Sequence, residues 1–333
     1  QPTIRPEVGE VLAALRARQK ARDGGKVLDW DGVRRWQRGD GVLWLNLDYA
    51  GDDVQAWLRD EAGLEPLVQS ALLERDPRPR AIVHDDDRLL MIIRAINLNQ
   101  GAEPEDMVSI RVYVEHARII TLRHRPSRSL KALSSDLERG QGPRDIPDMV
   151  VQLVDRIVDG VVHRVDALSD EIGALEDQVL TVDHPGQLRA QIADKRRRAI
   201  ALRRFLAPER DALIKLTTTG FNPFTSAHRE QFAEQADRMT RSIEELDAAR
   251  DRASVTQEEL SSRMGELTNK RLYVLSIITA VFLPLGFVCS LLGVNVGGVP
   301  FREDEWAFWA LLGAFLVGVW IQLAIFRKRG WME

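Results

Sequence analysis

The sequence predicts an α+β domain built on a mixed sheet, then a long helical stalk, then two C-terminal transmembrane helices. Three observations carry this. Two uncharged apolar stretches close the chain, Leu272 to Leu292 and Trp306 to Phe326; about 21 residues each is enough to cross a hydrocarbon core of roughly 30 Å. No proline interrupts the chain from His228 until Pro284, inside the first stretch, so one helical pattern feeds directly into it. Ahead of these, residues 1–145 hold short apolar runs gathered as hairpins with helices between them, the pattern of a mixed sheet rather than a doubly wound parallel one.

Composition narrows the function classes. The chain has 333 residues, 29% of them charged, with a formal net charge of −4, which gives no global argument for nucleic-acid binding. One cysteine excludes an internal disulfide framework and a Cys-rich zinc site. The first ten residues are polar and carry no signal-peptide pattern, and the absence of an initiator Met implies native residues ahead of Gln1. No Gly-x-Gly-x-x-Gly, P-loop, Gly-x-Ser-x-Gly or His-Glu-x-x-His occurs, so no enzyme class is indicated.

In order along the chain, Lys26 to Trp30 and Val42 to Asp48 are candidate strands. Helices follow over Asp52 to Glu61, capped by Asp52 or Asp53, and over Glu65 to Leu73. Arg80 to His84 and Leu89 to Ile96 form a hairpin around Asp85-Asp86-Asp87; Val108 to Glu115 and Arg118 to Arg123 form another around His116-Ala117. Ser127 to Arg139 is a helix. The triple aspartate is either a solvated turn or a carboxylate site for a divalent cation. His116 and His124 are either packing histidines or ligands whose convergence the sequence does not show.

From residue 146 to 226 the texture is long antiparallel helices. Asp148 to about Leu180 repeats apolar residues in steps of three and four, with an acidic opposite face that includes Asp155, Asp159, Asp170 and Glu171. Asp183-His184-Pro185-Gly186 reads as a turn. Gln187 to Leu216 is basic in its first half (Lys195 to Arg198, Arg203, Arg204), which is expected to pair with the acidic helix rather than with nucleic acid. Residues 227–271 form the stalk; from His228 to Leu292 it would extend roughly 95 Å at about 1.5 Å per residue.

The first span, 272–292, is the informative one. Leu272, Ser276, Thr279, Leu283, Gly286 and Ser290 recur in steps of four and three, a stripe of small and hydroxyl residues with two leucines. It is either a helix-packing face or the wall of a narrow water path. Pro284 takes away the donor that Ala280 O would otherwise have, tolerable only where a neighbour or water replaces it. Cys289 adjoins the stripe and reads as a packing residue. Lys270 and Arg271 before the first span and the basic tail 327–333 after the second put both ends in the cytoplasm, with loop 293–305 and its Glu303, Asp304 and Glu305 outside. These acids either concentrate cations or merely favour the start of the second span, 306–326.

A first span ending in Gly293-Val294-Asn295, an outside loop, a second span and a short basic tail resembles the CorA family of divalent metal ion transporters, over essentially the whole chain. The family's usual turn is Gly-Met-Asn. Val294 and the continuation Gly297-Gly298-Val299-Pro300 look like its ZntB branch, associated with zinc. The resemblance implies a homopentamer in a bacterial inner membrane, with the six stripe residues lining a central pore. It also implies a ring of Asn295 amides at the outer entrance, touching a hydrated ion. Leu283 and Leu272 would then be apolar constrictions. The implied cargo is Zn2+, with Mg2+, Co2+, Ni2+ or Cd2+ as alternatives, no cofactor, and proton coupling as an option for which the span offers no ionisable relay. A CorA-type magnesium or cobalt channel shares this architecture. A membrane-anchored scaffold or signalling protein would need only the spans and gives no reason for the stripe.

Overall fold

A computed structural model describes residues 9–15, 26–179, 185–293, 304 and 306–328. The chain divides into two units, Gln1–Gln257 and Glu258–Glu333. In the first unit, β1 (Gly9–Leu15), β2 (Lys26–Val27), β3 (Val42–Asp48), β4 (Arg80–His84), β5 (Arg88–Ala95), β6 (Val108–Glu115) and β7 (Arg118–Arg123) form one sheet in the order β2-β1-β3-β7-β6-β5-β4. Only β3 and β7 pair in parallel; every other neighbouring pair is antiparallel. The sheet is therefore mixed, as the sequence predicts.

Alternation explains how β3 sits at the centre. Leu43, Leu45 and Leu47 enter a core with Val54, Trp57, Leu58, Val68 and Leu72, supplied by α2 (Asp52–Asp60) and α3 (Pro66–Leu73). The residues between them face the other way, where Trp44 Nε1 donates to Thr121 Oγ1 at 2.9 Å and Thr121 Oγ1 donates to Asn46 at 3.3 Å. Buried polar groups on a central strand thus find lateral partners on β7. Two expectations are corrected. The strand over Lys26 to Trp30 stops at Val27, because the Asp29 carboxylate accepts from Gly32 N at 2.7 Å and starts α1 (Trp30–Arg35). The cap of α2 is Gly51, with Asp52 and Asp53 in the first turn, where the helix dipole still favours them.

The hairpin turn at Asp85-Asp86-Asp87 is built by left-handed backbone at Asp85 and Asp86 (φ 45° and 46°), a conformation that Asp tolerates better than most residues. The three carboxylates diverge. Asp85 pairs with Arg88, Asp87 with His116 Nδ1 at 2.8 Å, and the Asp86 carbonyl accepts from Asn222 N at 2.6 Å. His124 lies by Asp48, 3.4 Å away.

After α4 (Arg128–Glu138) come α5 (Ile146–Val179), α6 (Pro185–Thr218) and α7 (Ser226–Leu292). α6 opens on Pro185, a residue suited to the first helical position, so Pro185 and Gly186 belong to the helix rather than to the turn read there; Asp183 and His184 lie outside the described residues. α5 and α6 run antiparallel, with Glu171 meeting Lys195 at 2.7 Å and Glu105 taking both Arg164 and Arg198. The expected acid-to-base pairing of these two helices is mostly rerouted. Asp155 and Asp159 of α5 bind Arg238 of α7, and Arg203 of α6 binds Asp247 of α7 at 2.7 Å. Three helices share the charges that a two-helix reading gives to two.

Pro208 interrupts α6, and Glu209 beside it is buried, 1% exposed. Its Oε1 accepts from Arg94 N at 3.2 Å, and its Oε2 has no partner among the described residues. The Arg94 guanidinium is engaged elsewhere, with Asp76, with Pro77 O at 3.0 Å and 4.3 Å over the Phe205 ring. Burial pushes the Glu209 carboxyl up to about 8 from 4.5. Between those values the folded chain holds a proton that the unfolded chain has released, so stability falls as pH rises through that window. Glu209→Gln should flatten this decline and stabilise the protein at ~pH 8 by on the order of 2 kcal/mol, with little change at ~pH 5. Denaturant unfolding at the two pH values checks it.

Candidate functional site: the transmembrane hairpin

In the second unit, the end of α7 and α8 (Ala307–Lys328) are each long and apolar enough to cross a membrane. Their mutual face is read from burial. In α7 the partly buried positions are Tyr273, Ile277, Ala280, Val281, Leu285 and Val288; in α8 they are Ala307, Leu311, Phe315, Val319, Gln322 and Phe326. Both sets recur in steps of mostly three and four, the seam of a helical hairpin. A cavity of about 250 Å³ lies in the seam, lined by Val281, Pro284, Leu285, Val288, Phe315 and Gln322 among others.

The six stripe residues are on the opposite side. Leu272 and Leu283 are 55% and 67% exposed; Ser276, Thr279, Gly286 and Ser290 are exposed too. A Cβ added to Gly286 would meet nothing within 4 Å. At about 100° per residue the stripe lies roughly 180° around the helix from Val281, Leu285 and Val288. α8 is therefore not the partner of this stripe, which removes the simplest packing explanation for its small residues. What faces the stripe is another copy of the chain, lipid or water.

The stripe hydroxyls have a definite polarity. Ser276 Oγ donates to Leu272 O, and Thr279 Oγ1 donates to Leu275 O, both at 2.8 Å. The protons are committed inside the helix, so only acceptor lone pairs remain for whatever lies on the stripe side. Water bound to a cation points its hydrogens outward and meets such acceptors favourably.

On the seam side, Gln322 Nε2 donates to Ala280 O at 2.6 Å. Ala280 is four residues before Pro284, so this is the carbonyl that proline deprives of its helical donor. The sequence predicts the need for a replacement donor, and Gln322 of α8 supplies it. The signal was present, since Gln322 is the only amide between Ala307 and Phe326, and a polar side chain in a span needs a partner.

The outer end is partly described. Gly293 N donates to Cys289 O at 2.9 Å and closes α7. Val294, Asn295, Glu303 and Glu305 lie outside the described residues. Asp304 is exposed, and its carbonyl accepts from Ala307 N at 3.1 Å at the start of α8. Cys289 is exposed.

One group in the first unit has metal-ligand types, Asp145, Asp148 and His228, with candidate ligand atoms within 4.8 Å of one another. Its hydrogen bonds explain it as a helix start. Asp145 Oδ1 accepts from Asp148 N at 2.8 Å, and Asp148 Oδ2 accepts from Arg144 N at 3.2 Å. Thr225 N donates to His228 Nδ1 at 3.2 Å, and His228 Nε2 lies 3.9 Å from Asp148.

The CorA-like Mg2+ transporter protein family matches residues 39–328. The chain belongs to this family. It is 39% identical over 292 residues to the divalent cation transporter CmaX of Pseudomonas aeruginosa, covering 87% of each chain. It is 35% identical over 265 residues to the zinc transport protein ZntB of Yersinia enterocolitica, covering 80% of each. The solved structure of full-length CmaX superposes with a TM-score of 0.79 at 36% identity, over 96% of this chain and 97% of that one. The family likeness therefore embraces the mixed-sheet domain, the long helix and the two spans together.

The two faces of α7 separate experimentally. In a Cys289→Ser background in membranes, Ser276→Cys, Thr279→Cys and Ser290→Cys should react readily with a water-soluble thiol reagent. Val281→Cys, Leu285→Cys and Val288→Cys should stay unreactive. Equal reactivity on both faces would rule out a water path along the stripe.

Proposed function

We propose that the protein transports divalent metal ions, zinc in particular, across the bacterial inner membrane through a central pore of a homopentamer. The basic residues flanking the spans support a cytoplasmic location for both termini. The observation that carries the reading is the exposed stripe, set opposite the α8 seam and presenting only acceptors from Ser276 and Thr279. A cation with its hydration water would pass Ser290, Gly286, Leu283, Thr279, Ser276 and Leu272 in turn. Asn295 would receive it at the outer mouth through a neutral amide oxygen, which suits hydrogen bonding to a hydrated ion better than stripping it. Glu303, Asp304 and Glu305 would raise the cation concentration outside. Leu283 and Leu272 would narrow the path where dewetting can close it.

Zinc is favoured by the Val294 departure from Gly-Met-Asn and by the likeness to a relative named as a zinc transport protein. Magnesium is the second reading, supported by the description of the family model and by the higher identity to a relative named only for divalent cations. Proton coupling is a further part of the zinc reading, with no side-chain relay between Leu272 and Leu292 to carry it.

Purified protein in liposomes should take up zinc faster than magnesium. Asn295→Ala should cut the zinc rate by about tenfold, the scale of losing one or two hydrogen bonds to the ion's water. A pH gradient that changes the zinc rate would support coupling. Magnesium flux in place of zinc would shift the assignment to the magnesium branch, and no metal flux from a folded oligomer would sink the transport reading.

A further inference from the structure

We propose that Gln322 is a positioning residue for the ion path, a clamp that sets the angle of α7 at its proline joint and thereby the width of the path around Leu283. This rests on the reading of the stripe as the path. Pro284 removes the donor for Ala280 O, and its ring crowds that same carbonyl, so the helix is weakest between Ala280 and Pro284. Gln322 Nε2 fills the vacancy at 2.6 Å. Thr279 of the stripe lies just before this joint and Leu283 within it, while Gly286 and Ser290 lie beyond it. The aim of the outer half of α7 is therefore decided where the amide of α8 holds the carbonyl.

The surroundings favour an adjustable joint over a rigid one. The cavity of about 250 Å³ borders Pro284 and Gln322 and is otherwise lined by apolar side chains such as Val281, Leu285 and Phe315, so the seam has room for a change of angle. Without the amide, Ala280 O would lose the donor that stands in for Pro284, and the joint would shift to find another. Gln322 holds α7 from the side away from the path and touches no stripe residue in doing so.

The test is a double-substitution cycle with two readouts in the full-length protein reconstituted in liposomes. Gln322→Leu removes the donor at similar volume. Pro284→Ala restores a backbone N–H for Ala280 O, so in that background the amide is redundant. The transport readout is the zinc uptake rate as a function of zinc concentration. The second readout is the reaction rate of the native Cys289, the chain's only cysteine, with a water-soluble thiol reagent; it lies on the outer half of α7, beyond the joint.

Gln322→Leu alone should change the maximal uptake rate by about tenfold, the cost scale of an unpartnered buried carbonyl, with the half-saturating zinc concentration unchanged, and should alter the Cys289 reaction rate. Adding Gln322→Leu to Pro284→Ala should change neither. If Gln322→Leu acts equally in both backgrounds, or in neither, the clamp is overturned. If the single variant does not assemble, comparison of Pro284→Ala with the double variant decides: matching behaviour supports the clamp, and a difference overturns it. If the parent protein moves no metal, the transport reading fails while the Cys289 cycle still tests the joint.

Discussion

Inside a bilayer a backbone carbonyl has no water to fall back on, and this constraint shapes the second unit around one hydrogen bond. Pro284 breaks the helical ladder at Ala280 O, and Gln322 repairs it from the neighbouring helix. Two consequences follow. The repair fixes which side of α7 faces α8, because Ala280, Val281 and Pro284 must all turn toward the donor. It also fixes which side does not, and that side carries Ser276, Thr279, Gly286 and Ser290. A proline that costs a helix one bond thereby separates a seam from a candidate path.

The first unit meets a different constraint with the same kind of solution. Its helices are charged on several faces, and the long ones would repel or slide without assigned partners. Arg238 takes Asp155 and Asp159, Arg203 takes Asp247, and Glu105 takes Arg164 and Arg198. The more exposed of these pairs add little stability each. Together they disfavour other registers, because a one-turn slide of α7 would part Arg238 from its carboxylates. Glu209 is the exception, a buried acid that folding keeps neutral instead of pairing its free oxygen.

The sequence disclosed most of this where a signal was local and periodic. The strand Val42–Asp48, the hairpin Val108–Glu115 with Arg118–Arg123, and both spans follow from alternation, turn residues and charge-free length. β1 shows no period-2 alternation in Gly9–Leu15, and β2 ends at Val27 rather than Trp30, because a two-residue strand and a six-residue helix leave too few positions for a period to show. Glu171 of α5 meets Lys195 of α6 as the sequence predicts, but Asp155 and Asp159 turn to α7, because sequence gives sign and face but not the third body that packs there. The stripe is legible in the sequence and its partner is not; the placement of α8 excludes packing within the hairpin and leaves packing against another copy or a water path. Gln322 was overlooked because it is a single residue with no period, meaningful only beside a carbonyl 42 positions away.

The chemistry of the stripe is consistent with passage rather than storage. A single carboxylate 4 Å from a divalent ion attracts it by roughly 8 kcal/mol at an effective dielectric near 20, which corresponds to about six powers of ten in residence time if nothing offsets it. An ion held that firmly would not leave on the timescale of transport, and conduction requires binding weak enough to release. The segment Leu272 to Leu292 contains no carboxylate at all, while Glu303, Asp304 and Glu305 stand together outside it. Within the span, hydroxyl oxygens whose protons are tied back to the helix offer the water around an ion a sequence of weak, similar contacts. On the proposed transport reading, the acids would serve where concentration of cations helps, and the acceptors where release must follow each contact.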